Sequence, residues 1–155
     1  MKTTGQRDDE TTFLNVDLDI WAGYDLAPLV EAFGSHVSDM FTGTAEVPGE
    51  EGSFQTHLEL AIEEREPWSP DAAIQAFVRL IDDLPPAARR LWDEANLRNF
   101  DIGIQGGVTP RAFQFSLRPD TLAAASRLKA NVALTVYSVD VEHPQRQQRR
   151  RATIK

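Results

Sequence analysis

Apolar and polar residues alternate with a period of two along five stretches of this chain, and the polar set is mostly acidic, amide or hydroxyl. Successive side chains of a strand point to opposite faces, so each stretch predicts a strand buried on one side and solvated on the other. In the first, Thr12 to Trp21, residues Leu14, Val16, Leu18 and Ile20 oppose Asn15, Asp17 and Asp19. In the second, Ser53 to Glu63, residues Phe54, Thr56, Leu58, Leu60 and Ile62 oppose Gln55, His57, Glu59 and Glu63. Asn99 to Gln105 sets Phe100, Ile102 and Ile104 against Asn99, Asp101, Gly103 and Gln105. Ala112 to Leu117 alternates Phe113, Phe115 and Leu117 with Gln114 and Ser116, and Asn131 to Val139 supplies the last strand. The Gly106-Gly107 turn between the third and fourth stretches predicts an antiparallel hairpin.

Helical signals fall between these strands. Asp25 can cap a helix whose Leu26, Leu29, Val30 and Phe33 share one face, with Gly34 as its stop. Ser69 as N-cap, Pro70 at the first helical position and Asp71 in the first turn start a second helix with Ile74, Phe77, Val78 and Ile81 inward. Pro85 and Pro86 end it, since proline lacks the amide hydrogen and restricts its predecessor. A further piece over Pro86 to Asn96 can bury Leu91, Trp92 and Ala95. Asp120 to Ala130 forms the last helix, with Leu122 and Leu128 as its larger apolar residues. Ser35 to Gly52 has three glycines, Pro48 and no sustained period, and reads as a long irregular connection.

Helices with a single apolar face must cover one side of the sheet. The expected class is therefore α+β: a two-layer, ferredoxin-like sandwich with a mostly antiparallel five-stranded sheet and helices on one face. A doubly wound parallel sheet is the alternative, but its strands would be apolar on both faces. Residues 12 to 141 form the single domain, residues 1 to 11 a flexible lead-in and residues 142 to 155 a basic flexible tail. At 155 residues the chain suffices for one substantial core. Its 41% hydrophobic and 26% charged content excludes a disordered or fibrous chain.

The charge is divided unevenly. Residues 1 to 141 carry a net −12 and residues 142 to 155 a net +4, which together give the formal −8. An acidic body repels phosphates and attracts basic partners, so nucleic-acid binding by the body is not expected. The absence of cysteine removes disulfides, thiolate nucleophiles and Cys-based zinc sites, and it fits a reducing cytoplasm. Met1 to Glu10 lacks the apolar centre of a signal peptide, and no apolar run is long enough to span a bilayer. The expected protein is soluble and cytoplasmic, with no membrane association.

The run Phe113-Gln114-Phe115-Ser116-Leu117-Arg118-Pro119-Asp120-Thr121-Leu122, then Leu128 and the strand Val132 to Tyr137, resembles the bacterial domain-of-unknown-function family 4279 of small ferredoxin-like proteins. The helix closed by Gly34 and the long helix before Asp101 belong to the same resemblance. It implies a ferredoxin-like fold and assigns no catalytic residue.

Asp17, Asp19, His57, Glu59 and Asp101 share the polar face and lie together if their strands are neighbours. Carboxylates with an imidazole can hold a divalent cation, but a solvated sheet face has the same composition. There is no GxSxG elbow, HExxH helix or GxxxxGK[ST] loop, and Gly103 to Gly107 has neither a lysine nor a helix start after it. Tyr137 can add an aromatic group to the open face. Among Trp21, Trp68 and Trp92, Trp68 in its proline-rich turn is the preferred interface anchor. The basic tail, with Arg146, Arg149, Arg150 and Arg151, could bind nucleic acid or an acidic surface, but reads first as solvated or as lying against the acidic face.

These features predict a non-enzymatic protein-binding module that uses its acidic open face and takes no cofactor. One concrete form is an immunity or antitoxin-like protein that neutralises a basic bacterial toxin. The competing expectation is a metal- or small-ligand-dependent enzyme with its carboxylates on the same face. An exposed edge such as the last strand offers a route to a homodimer.

Overall fold

In the computed structural model the described residues are 9–49, 52–65 and 68–139, without the side chains of 46–49. The strands are β1 (Thr12–Ala22), β2 (Val37–Gly49), β3 (Gly52–Leu60), β4 (Leu97–Gln105) and β5 (Asn131–Tyr137). Between them lie helices α1 (Ala27–Phe33), α2 (Pro70–Asp82), α3 (Pro86–Glu94) and α4 (Pro119–Arg127). The strands form one sheet in the order β2-β3-β1-β4-β5. The class is α+β, as the alternation and the helical faces predict.

One face of the sheet carries the core. Val16, Leu18 and Ile20 of β1, Leu58 and Leu60 of β3, and Phe100, Ile102 and Ile104 of β4 are buried in one cluster with Leu29, Phe33, Ile74, Phe77, Ile81, Trp92 and Leu128. The Phe77 ring meets Phe100 with centroids 5.9 Å apart. Local signals set the helix ends. The Ser69 hydroxyl accepts the Ala72 N–H at 3.1 Å, and the break at Pro85-Pro86 separates α2 from α3. Asp25 accepts the Ala27 N–H at 2.9 Å, just ahead of α1. The buried Arg98 joins helix and strand ends by donating to the carbonyls of Trp92 at 2.6 Å and Lys129 at 3.2 Å.

Several expectations fail for identifiable reasons. The supposed connection Ser35 to Gly52 is mostly β2, paired antiparallel with β3. Its period is broken by register shifts at Asp39/Phe41 and Thr44/Gly49, and an edge strand tolerates the glycines and Pro48 that argued against it. Ala112 to Leu117 belongs to no strand. Phe115 and Leu117 instead rest against the core, and the Arg118 N–H is held by the Asp71 carboxylate at 2.8 Å. β5 takes the place beside β4 and runs parallel to it, so the sheet is mixed: three of its four pairings are antiparallel, as expected, and this one is parallel. A parallel neighbour needs a crossover, and the segment through α4 provides one.

Smaller departures follow from bulges and caps. A register shift between Phe13 and Asn15 turns Leu14 outward, and Phe13 packs at the core margin in its place. Ile62 and Glu63 leave the strand in a short 3-10 turn, where Ile62 is 77% exposed. α4 buries Thr121 and Ala125 while Leu122 faces solvent. The lead-in is anchored from Asp9 onward: Asp9 accepts the Val108 N–H at 2.7 Å, and Thr11 donates its N–H to Thr109 at 2.6 Å. The rest of the lead-in, residues 1–8, and the basic tail lie outside the described residues. No described helix is long and apolar enough to cross a membrane.

The contrast between Ile102, with no exposed surface, and Ile62 tests this inside-outside assignment. Ile102→Ala should destabilise by about 2–5 kcal/mol in urea denaturation. Ile62→Ala should stay within about 0.5 kcal/mol of the parent.

Candidate functional site

The face opposite the core is built from alternate residues of the same strands. Because β1 pairs with β3 on one side and β4 on the other, Asp17 sits directly opposite both Glu59 and Asp101. Two positions along β1, Asp19 sits opposite His57 and Asn99. The register therefore makes two rows across the sheet, Glu59-Asp17-Asp101 and His57-Asp19-Asn99. The five sequence-derived residues Asp17, Asp19, His57, Glu59 and Asp101 are brought together.

Neighbouring groups fix these side chains. The Asn15 amide donates to Asp17 Oδ1 at 2.8 Å and to Glu59 Oε1 at 3.0 Å, bridging the two acids. Gly103 stands opposite Asn15, and a Cβ there would lie 2.9 Å from Asn15 Oδ1. Glycine thus leaves room for the bridging amide. The Thr135 hydroxyl is 2.9 and 2.8 Å from the two Asp101 oxygens. Arg65 reaches Glu59 Oε2 at 3.2 Å from the rim. His57 Nδ1 lies 2.5 Å from Asp19 Oδ1, and its Nε2 lies 3.6 Å from Asp17 Oδ2.

Burial and like charge perturb two of these groups. Asp17 is pushed up from 3.8 to about 6, first by burial and then by Glu59, Asp19 and Asp101, with His57 opposing. The His57 imidazole is raised above its ordinary 6.5, chiefly by its hydrogen bond to Asp19. Burial lowers it, but the bond and the surrounding carboxylates outweigh that effect.

The group has the composition of a cation site. One ligand atom each from Asp17, His57 and Glu59 lies within 4.8 Å of the others. With Asp19 holding Nδ1–H, a neutral His57 would present the Nε2 lone pair toward Asp17, as in a carboxylate-histidine-metal arrangement. A guanidinium or ammonium group suits the same oxygens without needing His57 to lose its proton.

Tyr137 and Trp68 lie apart from this group. Tyr137 is on the open face, but opposite Gln105 rather than Asp101. The separation along the strand is roughly 13 Å at about 3.3 Å per residue. Trp68 stacks on Phe13 with centroids 5.1 Å apart and donates its indole N–H to the Leu14 carbonyl at 3.2 Å. It is linked to the site through Arg65, whose guanidinium lies 5.1 Å from its ring centroid.

Sequence reasoning missed Phe41, Arg65 and Thr135 as neighbours of the site. Phe41 stands opposite His57 and is 41% exposed. Its strand was hidden by the broken period of residues 35 to 52. Arg65 had one signal, as a cation directly after the acidic run Glu63-Glu64. A separate cleft of about 350 Å³ lies in the helical layer, lined by Phe33, His36, Glu64, Arg79, Asp83 and Leu84 among others. None of the residues expected at the site lines it.

The Asp17 shift has a definite sign in stability. A carboxyl whose folded pKa exceeds its unfolded value contributes stability below the unfolded value and loses it as pH rises through the folded one. Between pH 3.8 and about 6 the native state should therefore weaken through Asp17, and the His57 shift continues the trend above 6.5. Asp17→Asn should remove on the order of 1–2 kcal/mol of this decline after solvent screening, measured as the difference from wild type in urea denaturation at acid and neutral pH. Parallel curves for the two proteins would contradict the assignment.

The chain matches no family model, no curated protein and no solved structure.

Proposed function

We propose that the open sheet face is a docking surface for a basic segment of another protein, and that the chain is a non-enzymatic binding module. The observation that carries this reading is the row Glu59-Asp17-Asp101, where carboxylates stand directly opposite one another on three adjacent strands. Like charges in that relation destabilise a sheet. An arriving guanidinium or ammonium group converts the repulsion into charge-assisted hydrogen bonds. Phe41 beside His57 and the half-buried Trp21 beyond Asp19 add aromatic surface suited to a cation's stem. The net −12 of residues 1 to 141 would speed the encounter.

Within this reading the partner is a basic bacterial toxin and the protein an immunity or antitoxin-like inhibitor acting in the cytoplasm. The antiparallel order β2-β3-β1-β4 supports regarding the fold as a ferredoxin-like core with β5 added, while the proposed kinship to family 4279 rests on the sequence resemblance alone.

A second reading rests on the Asp17, His57 and Glu59 ligand atoms, which could close on one divalent cation. Calorimetric titration with nona-arginine, and separately with manganese and zinc, distinguishes the two. A D17N/E59Q/D101N variant should bind nona-arginine about tenfold more weakly than wild type, an effect of about 1.4 kcal/mol. An E31Q/E94Q/D120N variant, with the same change in charge at exposed helical positions, should bind within about twofold of wild type. Equal losses in both variants would reduce the face to general acidity. Saturable one-to-one metal binding abolished by His57→Ala, with no preference of the peptide for the face, would favour the second reading.

A further inference from the structure

The two edges of the sheet are built differently. β2 carries Asp39, a register shift at Asp39/Phe41 and Pro48, the features that prevent an edge from pairing with another chain. β5 reads Asn131-Val132-Ala133-Leu134-Thr135-Val136-Tyr137, without a charge, a proline or a bulge. Among the described residues no strand pairs with its outer side. Leu134 is 57% and Val136 63% exposed, although both belong to the apolar face whose β4 partners Ile102 and Ile104 are buried. Val132, near the start of β5, packs against the core, whereas these two residues lie open.

We propose that β5 is the contact strand of a homodimer, with two copies pairing antiparallel about a two-fold axis at Leu134. Charge selects a second copy as the occupant. Two bodies of net −12 repel, and this uncharged strand is where they can meet without opposing carboxylates. The strand is also self-complementary. With Leu134 on the axis, Leu134 faces its own counterpart and Val132 faces Val136, so the apolar rows match. On the open face Ala133 meets Thr135 and Asn131 meets Tyr137. The interface is isologous, as a two-fold axis requires.

Pairing of this kind joins two five-stranded sheets into one of ten strands. The axis is perpendicular to the sheet, so the two Glu59-Asp17-Asp101 rows point the same way. A basic partner with two cationic segments would then meet a bivalent surface. Dimer formation does not depend on that partner.

The test uses the full chain in sedimentation equilibrium over a concentration series. Wild type should reach twice the monomer mass, while Leu134→Glu and Leu134→Lys should each remain monomeric. An equimolar mixture of the two variants should restore the dimer mass, because opposite charges then meet on the axis. The chain has no cysteine, so Leu134→Cys should give a disulfide-linked dimer under mild oxidation and Ala133→Cys should not. A wild type that stays monomeric, a dimer that survives both charged variants, or a mixture that stays monomeric would each overturn the proposal.

Discussion

The structure depends on the register of β1 between its two antiparallel neighbours. Leu18 opposite Leu58 and Phe100, and Val16 opposite Ile102, fix the apolar side, and a one-residue slip would turn that whole set into solvent. The same register leaves no freedom on the polar side. Once Leu18 is in the core, Asp17 must face Glu59 and Asp101, and Asp19 must face His57. Hydrophobic burial thus holds the acidic row in an arrangement its own electrostatics oppose.

That opposition is partly relieved within the sheet. Asn15 donates to two of the acids, Thr135 to Asp101, Arg65 to Glu59, and His57 lies between Asp17 and Asp19. These contacts orient the carboxylates without neutralising the row, because Arg65 reaches only Glu59 and His57 is held closest to Asp19. Asp17 keeps a raised pKa of about 6, first through burial and then through Glu59, Asp19 and Asp101. Local rules are broken most often where a site has work to do, and the proposed basic partner would add cations to a row that Arg65 meets at Glu59. In the proposed docking role, attraction by the acidic body and recognition by the row would be separable, since the first is screened by salt over a Debye length and the second acts at contact.

Much of this was legible in the chain because strand alternation reports burial directly. Val16, Leu18 and Ile20 of β1 and Phe100, Ile102 and Ile104 of β4 reveal both their strands and their faces, and Asp17, Asp19, His57, Glu59 and Asp101 follow by parity. Ser69-Pro70-Asp71 marked the start of α2 for the same local reason. What failed was set by tertiary context. β2 has no clean period because one side of an edge strand need not be buried and its pairing is bulged, so Phe41 was lost. Phe113, Phe115 and Leu117 alternate as a strand would, yet alternation cannot say whether a backbone ladder is available, and β5 occupies the position beside β4. Leu14 shows the limit within a correctly identified strand, where one bulge reverses parity for a single residue.

The account stands on the claim that the carboxylates of the central row repel one another in the folded protein. A double-mutant cycle in urea denaturation at pH 8, with Asp17→Asn, Glu59→Gln and the pair, measures that repulsion without any ligand. The account predicts that each single replacement relieves the same conflict, so the double variant gains less than the two single gains together, by about 0.5–1 kcal/mol. Additive effects, or a double variant that gains more than the sum, would mean that the row carries no repulsion for a partner to relieve.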